Sequence, residues 1–398
     1  MEAYALDWLN LLLRWLHLVT GIAWIGASLY FVWLDNHLLP PADPEAVRKG
    51  VAGELWAVHG GGFYNAQKYK VAPQVLPATL HWFKWEAYWT WMSGFALLCL
   101  LYYVGANVYL IDRNIADIEP AAAIAIGLGT LAGGWIVYDL LCRSPLGANE
   151  RALGGVLALL CVAAAYELCH VFGGRGAYIH FGAMLGTIMV ANVRFIIIPG
   201  QKELVRAKQE GREPDPTPGL KALQRSKHNT YFTLPVLFTM ISSHYPMTFG
   251  HPANWLILVA ISVAGAAIRI FFVARHKGRS RLLPAAIGGI ALVVVAIGIA
   301  PPARTALAPG ANAGAGFVKV QAIVATRCAV CHSAAPTQPG FTAAPKGVMF
   351  DTSERIAAQA AQIFQQTSTR VMPIGNLTGM TDDEREVIAQ WYSSGAQR

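Results

Sequence analysis

The sequence predicts an all-α protein: a polytopic membrane helix bundle of eight transmembrane helices, followed by a small soluble helical domain. Three observations carry this. Of 398 residues, 55% are hydrophobic and only 14% charged, against roughly 25% charged in ordinary soluble chains, which excludes disorder, a coiled coil and a secreted disulfide scaffold. Eight apolar runs approach the roughly 20 residues needed to cross hydrocarbon. After Ala300 the composition turns abruptly polar.

The runs lie at Trp8 to Trp33, Trp85 to Val104, Ala121 to Leu141, Ala152 to Phe172, Ala177 to Ile198, Asn229 to Tyr245, Ala253 to Ala274, and Leu282 to Ala300. The first reads as a retained helix rather than a cleaved signal, since it follows Glu2 and Asp7, contains Arg14 and is too long for a signal core. The sixth is the weakest, interrupted by Pro235 and ended by Ser242, Ser243 and His244. Basic residues alternate between loops. The first, third, fifth and seventh carry Arg48, Lys49, Lys68 and Lys70; Arg143 and Arg151; seven cations from Lys202 to Lys227; and Arg275, Lys277, Arg279 and Arg281. The second and fourth carry only Arg113 and Arg175. The positive-inside rule then places the odd loops in the cytoplasm and both termini outside. The net charge of +8 is accounted for by these loops. No basic block interleaved with aromatics suggests nucleic acid as a partner.

Residues 1–300 are thus expected to form the membrane domain, Pro301 to Gly316 a Pro/Ala/Gly tether, and 317–398 a soluble domain. Within the last sits Cys328-Ala329-Val330-Cys331-His332. Two thiols at that spacing reach the two vinyl groups of one haem, and the adjoining imidazole becomes the proximal iron ligand. A zinc site would need two further ligands, and this segment has no other Cys or His. The second axial ligand must then be Met349, Met372 or Met380. Met372, stiffened by Pro373 and followed by an N-cap at Thr381 and acidic residues Asp382, Asp383 and Glu384, is the expected one, with Met380 second. A Met on such a loop before a terminal helix resembles class I cytochrome c, and covalent haem attachment outside the cytoplasm agrees with the loop charges.

Ionisable residues inside spans are costly and mark function by default: Arg14, His17, Glu86, Asp139, Glu167, His170, His180, Arg194, His244 and Arg269. Glu167 and His170 share a helix face, but a di-iron bundle needs a second Glu-x-x-His, which is missing. The first cytoplasmic loop contains His59-Gly60-Gly61-Gly62-Phe63-Tyr64, then His81-Trp82-Phe83-Lys84-Trp85-Glu86. Glycines after a His let backbone N–H groups approach a ligand, and aromatics with cationic tips suit a flat anion; an interfacial aromatic belt with a turn reads equally well.

The stretches WLHLVTGIAWIGASLYFVW, ELWAVHGGGFY, LHWFKWEAYWTW, IHFGAMLGTIMVANV and HNTYFTLPV, with the terminal haem motif, resemble the bacterial integral-membrane urate oxidases (urate hydroxylases) that end in a cytochrome c domain. The resemblance runs over essentially the whole chain. It implies oxidation of urate to 5-hydroxyisourate, with electrons passing to the fused haem c and on to a respiratory acceptor, a cytochrome c or terminal oxidase. Urate is a planar anion that needs donors, a stacking surface and a base. His59 or His228 is the expected base, with Tyr64, Lys68, His81, Arg225 and Asn229 as binding groups. Because these lie at the inner face and haem c outside, one or two b haems between His17, His170, His180 and His244 could form a relay, with Gly182 and Gly186 allowing close approach. Two other readings stand beside this one: an electron-transfer subunit without urate chemistry, oxidising quinol, and a purine transporter, whose broken-helix repeat the sequence does not show.

Overall fold

The computed structural model describes residues 2–276, 278, 282–300, 313–339, 341 and 343–398. In chain order, α1 (Glu2–Asp35) and the short α2 (Pro44–Arg48) precede a hairpin of β1 (Val51–His59) and β2 (Gly62–Tyr69). Helix α3 (Trp85–Leu98) continues through a π-helical turn, Cys99–Tyr103, to α4 (Ala106–Tyr109). Then come α5 (Pro120–Arg143), α6 (Glu150–Val171), α7 (Gly174–Ala191), a second π-helical stretch Asn192–Ile197, and α8 (Ile198–Gln209). The set is completed by α9 (Pro216–Ser242), α10 (Pro246–Phe249), α11 (Asn254–His276) and α12 (Leu282–Gly298). The C-terminal part holds α13 (Ala313–Arg327), α14 (Ser353–Ala358), α15 (Ala360–Ser368) and α16 (Asp382–Ser393).

All eight apolar runs are helical, and five of the helices are long and apolar enough to cross a membrane. Those outside the five are α3, cut by its π turn, α12, of 17 residues, and α9. The last begins at Pro216 rather than near Asn229, so the polar segment RSKHN is helical, and Pro235 lies inside the helix. Residues 301–312 of the expected tether and the cations Lys277, Arg279 and Arg281 lie outside the described residues, while Ala313 to Gly316 already belong to α13.

One departure from all-α is the hairpin. His59 pairs with Gly62, and Gly60 and Gly61 take φ of 57° and 80°, the positive values a two-residue type I′ turn requires. The glycines expected to cradle a ligand are therefore explained by the turn they make. The alternation before the turn and the Gly-Gly pair carried that signal in the sequence.

Helix α7 is the centre of the bundle. Tyr178, His180, Phe181 and Leu185 are almost fully buried, among Leu110, Phe172 and Leu258. Small residues set the approach of its neighbours: a Cβ on Gly182 would fall 1.9 Å from Thr239 Oγ1 of α9, and one on Gly134 of α5 2.5 Å from Met184 Cγ. At the periphery α12 exposes Ile290, Val294 and Ile297, the pattern of a helix solvated by lipid. A separate core of Phe317, Val320, Val324, Ile363, Ile388 and Trp391 holds the C-terminal part together. Its last helix opens on a reciprocal capping box between Thr381 and Glu384.

Gly182→Val should overpack the α7–α9 seam and cost about 1–3 kcal/mol. The check is the thermal midpoint of the detergent-solubilised protein, and an unchanged midpoint would contradict so close an approach.

Candidate functional site

The turn after α13 carries the Cys-x-x-Cys-His motif. Cys328 is buried, and burial pushes its thiol up to about 12, the opposite of a thiolate poised for disulfide exchange. The His332 N–H donates to Cys328 O at 2.9 Å. Its Nδ1 lies 3.0 Å from Val348 O, so Nδ1 carries the proton and Nε2 keeps its lone pair. That is how proteins orient a metal-binding imidazole.

The three methionines are differently placed. Met380 is 2% exposed and belongs to the hydrophobic core. The Met349 sulfur lies 3.7 Å from Arg355 Nη1. Met372 sits outside that core on a loop fastened at both backbone groups: its N–H donates to Gln366 O at 3.0 Å, and its carbonyl accepts from Arg385 Nη1 at 2.9 Å. Arg385 also donates to Thr367 O at 2.6 Å, and its burial lowers its pKa from the usual guanidinium range. Among the described residues no cluster of three His, Cys, Asp or Glu could hold a metal by itself, so the donor set here, one imidazole with thioethers, suits haem rather than a bare ion.

This loop rests on the bundle. Val371 joins the bundle core. A Cβ on Gly375 would fall 2.9 Å from Ile111 O, and one on Gly250 1.8 Å from Thr369 O. Backbone therefore lies on backbone at two points. Between the loop, the segment after α4, the α6–α7 corner and the α10–α11 corner is a cleft of about 420 Å³, within the range of small-molecule sites.

At the opposite ends of the helices is a buried polar network that the sequence showed only in part. Arg225, nearly inaccessible, pairs with Asp139 at 2.7 Å and lies over the Tyr138 ring at 4.8 Å. Tyr138 accepts from Asn192 Nδ2 at 3.0 Å, and its hydroxyl pairs with His228 Nδ1 at 2.7 Å. Asn192 Nδ2 also reaches Asn229 Oδ1 at 2.9 Å. Nδ1 of His228 is thus engaged by Tyr138. Tyr138 and Asn192 were not foreseen, although Asp139 was flagged beside the first. A smaller cavity of about 130 Å³ lies nearby, lined by Trp24, Phe83, Glu86, Ser226 and Asn229 among others.

The other expected base, His59, and three expected binding groups are not part of that network. His59 and Tyr64 are exposed on the hairpin, Lys68 pairs with Asp35 at 2.8 Å, and His81 is 3.9 Å from Glu86. The four membrane histidines are dispersed too. His17 Nδ1 lies 2.9 Å from Thr90 O, and its ring occupies the room left by Gly94. His180 spends Nδ1 on Gly176 O at 2.8 Å and Nε2 on Tyr103 OH at 3.3 Å, with Gly127 against the ring. His244 is exposed in the turn after α9. His170 lines the cleft. Gly182 makes room for α9, and a Cβ on Gly186 would meet nothing.

Comparison with known proteins matches the urate oxidase N-terminal family over residues 3–300, and the chain belongs to that family. No curated protein and no solved structure matches it.

Removing one partner of a buried ion pair strands the other. Asp139→Ala should therefore destabilise by about 3–5 kcal/mol, whereas Asp139→Leu combined with Arg225→Met should recover most of that loss. Denaturant unfolding distinguishes the two; equal losses would show that the pair is not buried.

Proposed function

We propose, from membership of the urate oxidase N-terminal family, that this chain is a membrane oxidoreductase. It converts urate to 5-hydroxyisourate and passes the electrons to a haem c on its own C-terminal domain. The eight long helices are then all spans, the cation-rich loops face the cytoplasm, and the haem domain lies on the periplasmic side of the inner membrane. A respiratory cytochrome c or terminal oxidase takes the electrons onward.

The observation that carries the electron-transfer half is the pairing of His332 with Val348 O. Cys328 and Cys331 would hold the macrocycle by thioethers, and His332 and Met372 would hold its iron. Bound there, the haem supplies a one-electron acceptor. The chain's own contributions are positional: Val348 fixes the imidazole tautomer, and Arg385 with Gln366 fixes the loop that presents Met372. With that loop docked on the bundle, an acceptor held there would lie beside the membrane domain and need no diffusion of a second protein.

Urate added anaerobically to the oxidised full-length protein should reduce the haem at catalytic rates. Failure with urate alongside rapid reduction by quinol would make the chain an electron-transfer subunit instead. Met372→Ala should keep the haem covalently attached but lower its potential and open an iron position, and His332→Ala should impair maturation. Met380→Ala should leave the low-spin spectrum intact while costing about 2–5 kcal/mol of stability. A native potential in Met372→Ala would refute the ligand assignment.

A further inference from the structure

Resting on the urate reading above, we infer that the purine anion binds in the cleft between the Met372 loop and the adjoining ends of the helices. The inner polar network is then not the substrate site. From Arg175 at the cleft to Asn192 in that network is 17 residues along α7, about 26 Å at 1.5 Å per residue. A substrate held at the network would have to send electrons through most of the bundle. One held in the cleft touches the loop that carries Met372.

The cleft has the chemistry of a planar anion with alternating N–H and C=O edges. Arg175 lines it with its guanidinium over the Phe249 ring at 5.4 Å, and no ion pair neutralises it among the described residues. Arg370 lines it from the other side, paired with Asp382 at 2.8 Å. The Asp112 carboxylate, whose Oδ1 accepts from the Asn114 N–H at 3.0 Å, also lines the cleft and offers an acceptor for a purine N–H. Phe249 offers part of an apolar wall.

Two histidines line the same space with opposite proton placement. His170 Nδ1 donates to Tyr166 O at 2.7 Å, leaving Nε2 with a lone pair. His251 Nδ1 accepts from Ala253 N–H at 3.0 Å, leaving the proton on Nε2. In its neutral form one ring is therefore a base and the other a donor, set by their backbone partners. His170 is exposed, so a proton taken by Nε2 can leave to water.

The reaction balances within this arrangement. The urate anion, C5H3N4O3−, plus one water gives 5-hydroxyisourate, C5H4N4O4, one proton and two electrons; an O–H bond of the water is the bond broken. The new bond joins the water oxygen to C5 of the purine. His170 Nε2 takes that proton, and His251 Nε2–H and Arg175 hold the anionic edge. Cys328, Cys331 and His332 would hold the haem c, which would supply the one-electron oxidant for both electrons, with a respiratory acceptor restoring it.

The test separates binding from electron transfer. Full-length protein reduced with dithionite cannot turn over, so radiolabelled urate is dialysed against it anaerobically. Arg175→Gln should weaken urate binding at least tenfold, and Arg175→Lys should recover part of it. His170→Gln should hold affinity within threefold but slow urate-driven haem reduction in the oxidised protein at least a hundredfold, as loss of a general base does. A retained haem spectrum shows that each variant has folded. Wild-type affinity and rate in both Arg175→Gln and His170→Gln, with loss of binding in His228→Gln, would place the site at the inner network and overturn the inference. Wild-type protein that neither binds urate nor is reduced by it would overturn the functional reading, and the cleft assignment with it.

Discussion

The fit between the two halves of the molecule depends on a contact between two backbones. At Gly250 and Gly375 the C-terminal domain and the bundle approach so closely that any side chain would collide with a carbonyl of the other part. Val371 completes the seam by entering the bundle core. Backbone contacts of this kind fix distance more tightly than side-chain contacts, because they have no rotamers through which to relax. The residue next to Val371 is the one assigned to the iron. The proposed electron transfer, the cleft geometry and the fit of the two halves therefore rest on the same few residues.

Apolar helix surfaces impose the second constraint. With side chains such as Trp15, Ile22, Leu159 and Ile290 exposed on the long helices, polar groups are satisfied inside the bundle or at its ends. The protein meets this in two ways. In the interior, His17 and His180 are packed against glycines and bonded to neighbouring segments, and the Arg225–Asp139 pair is enclosed with Tyr138 and Asn192. At the end next to the Met372 loop, His170, His251 and Arg175 instead line an open cleft. Buried polarity of the first kind ties helices together, while polarity around open space is available to a ligand.

Much of the architecture was legible because hydrophobicity over about 20 residues is a strong signal. All eight runs proved helical, and Met380 and Met372 separated as core and loop residues. What could not be read was assembly. The His-Gly-Gly-Gly segment looked like a ligand cradle because glycine serves both close approach and positive φ, and only the strand register shows which applies. The grouping of Arg225, His228 and Asn229 was anticipated from one short segment, but their partners Tyr138 and Asn192 come from other helices. The cleft was invisible for the same reason: Asp112, His170, Arg175, His251 and Arg370 come from separate parts of the chain. Arg175 did carry a hint, as one of the few cations in the loops expected outside.

The central claim is that urate electrons cross a preformed interface within one chain. Its most direct measurement is stopped-flow reduction of the oxidised protein by saturating urate over a wide range of protein dilution. The account predicts a first-order rate that does not change with protein concentration or solvent viscosity. A rate that falls in proportion to protein concentration would show that electrons reach the haem only when separate molecules collide, and would contradict it.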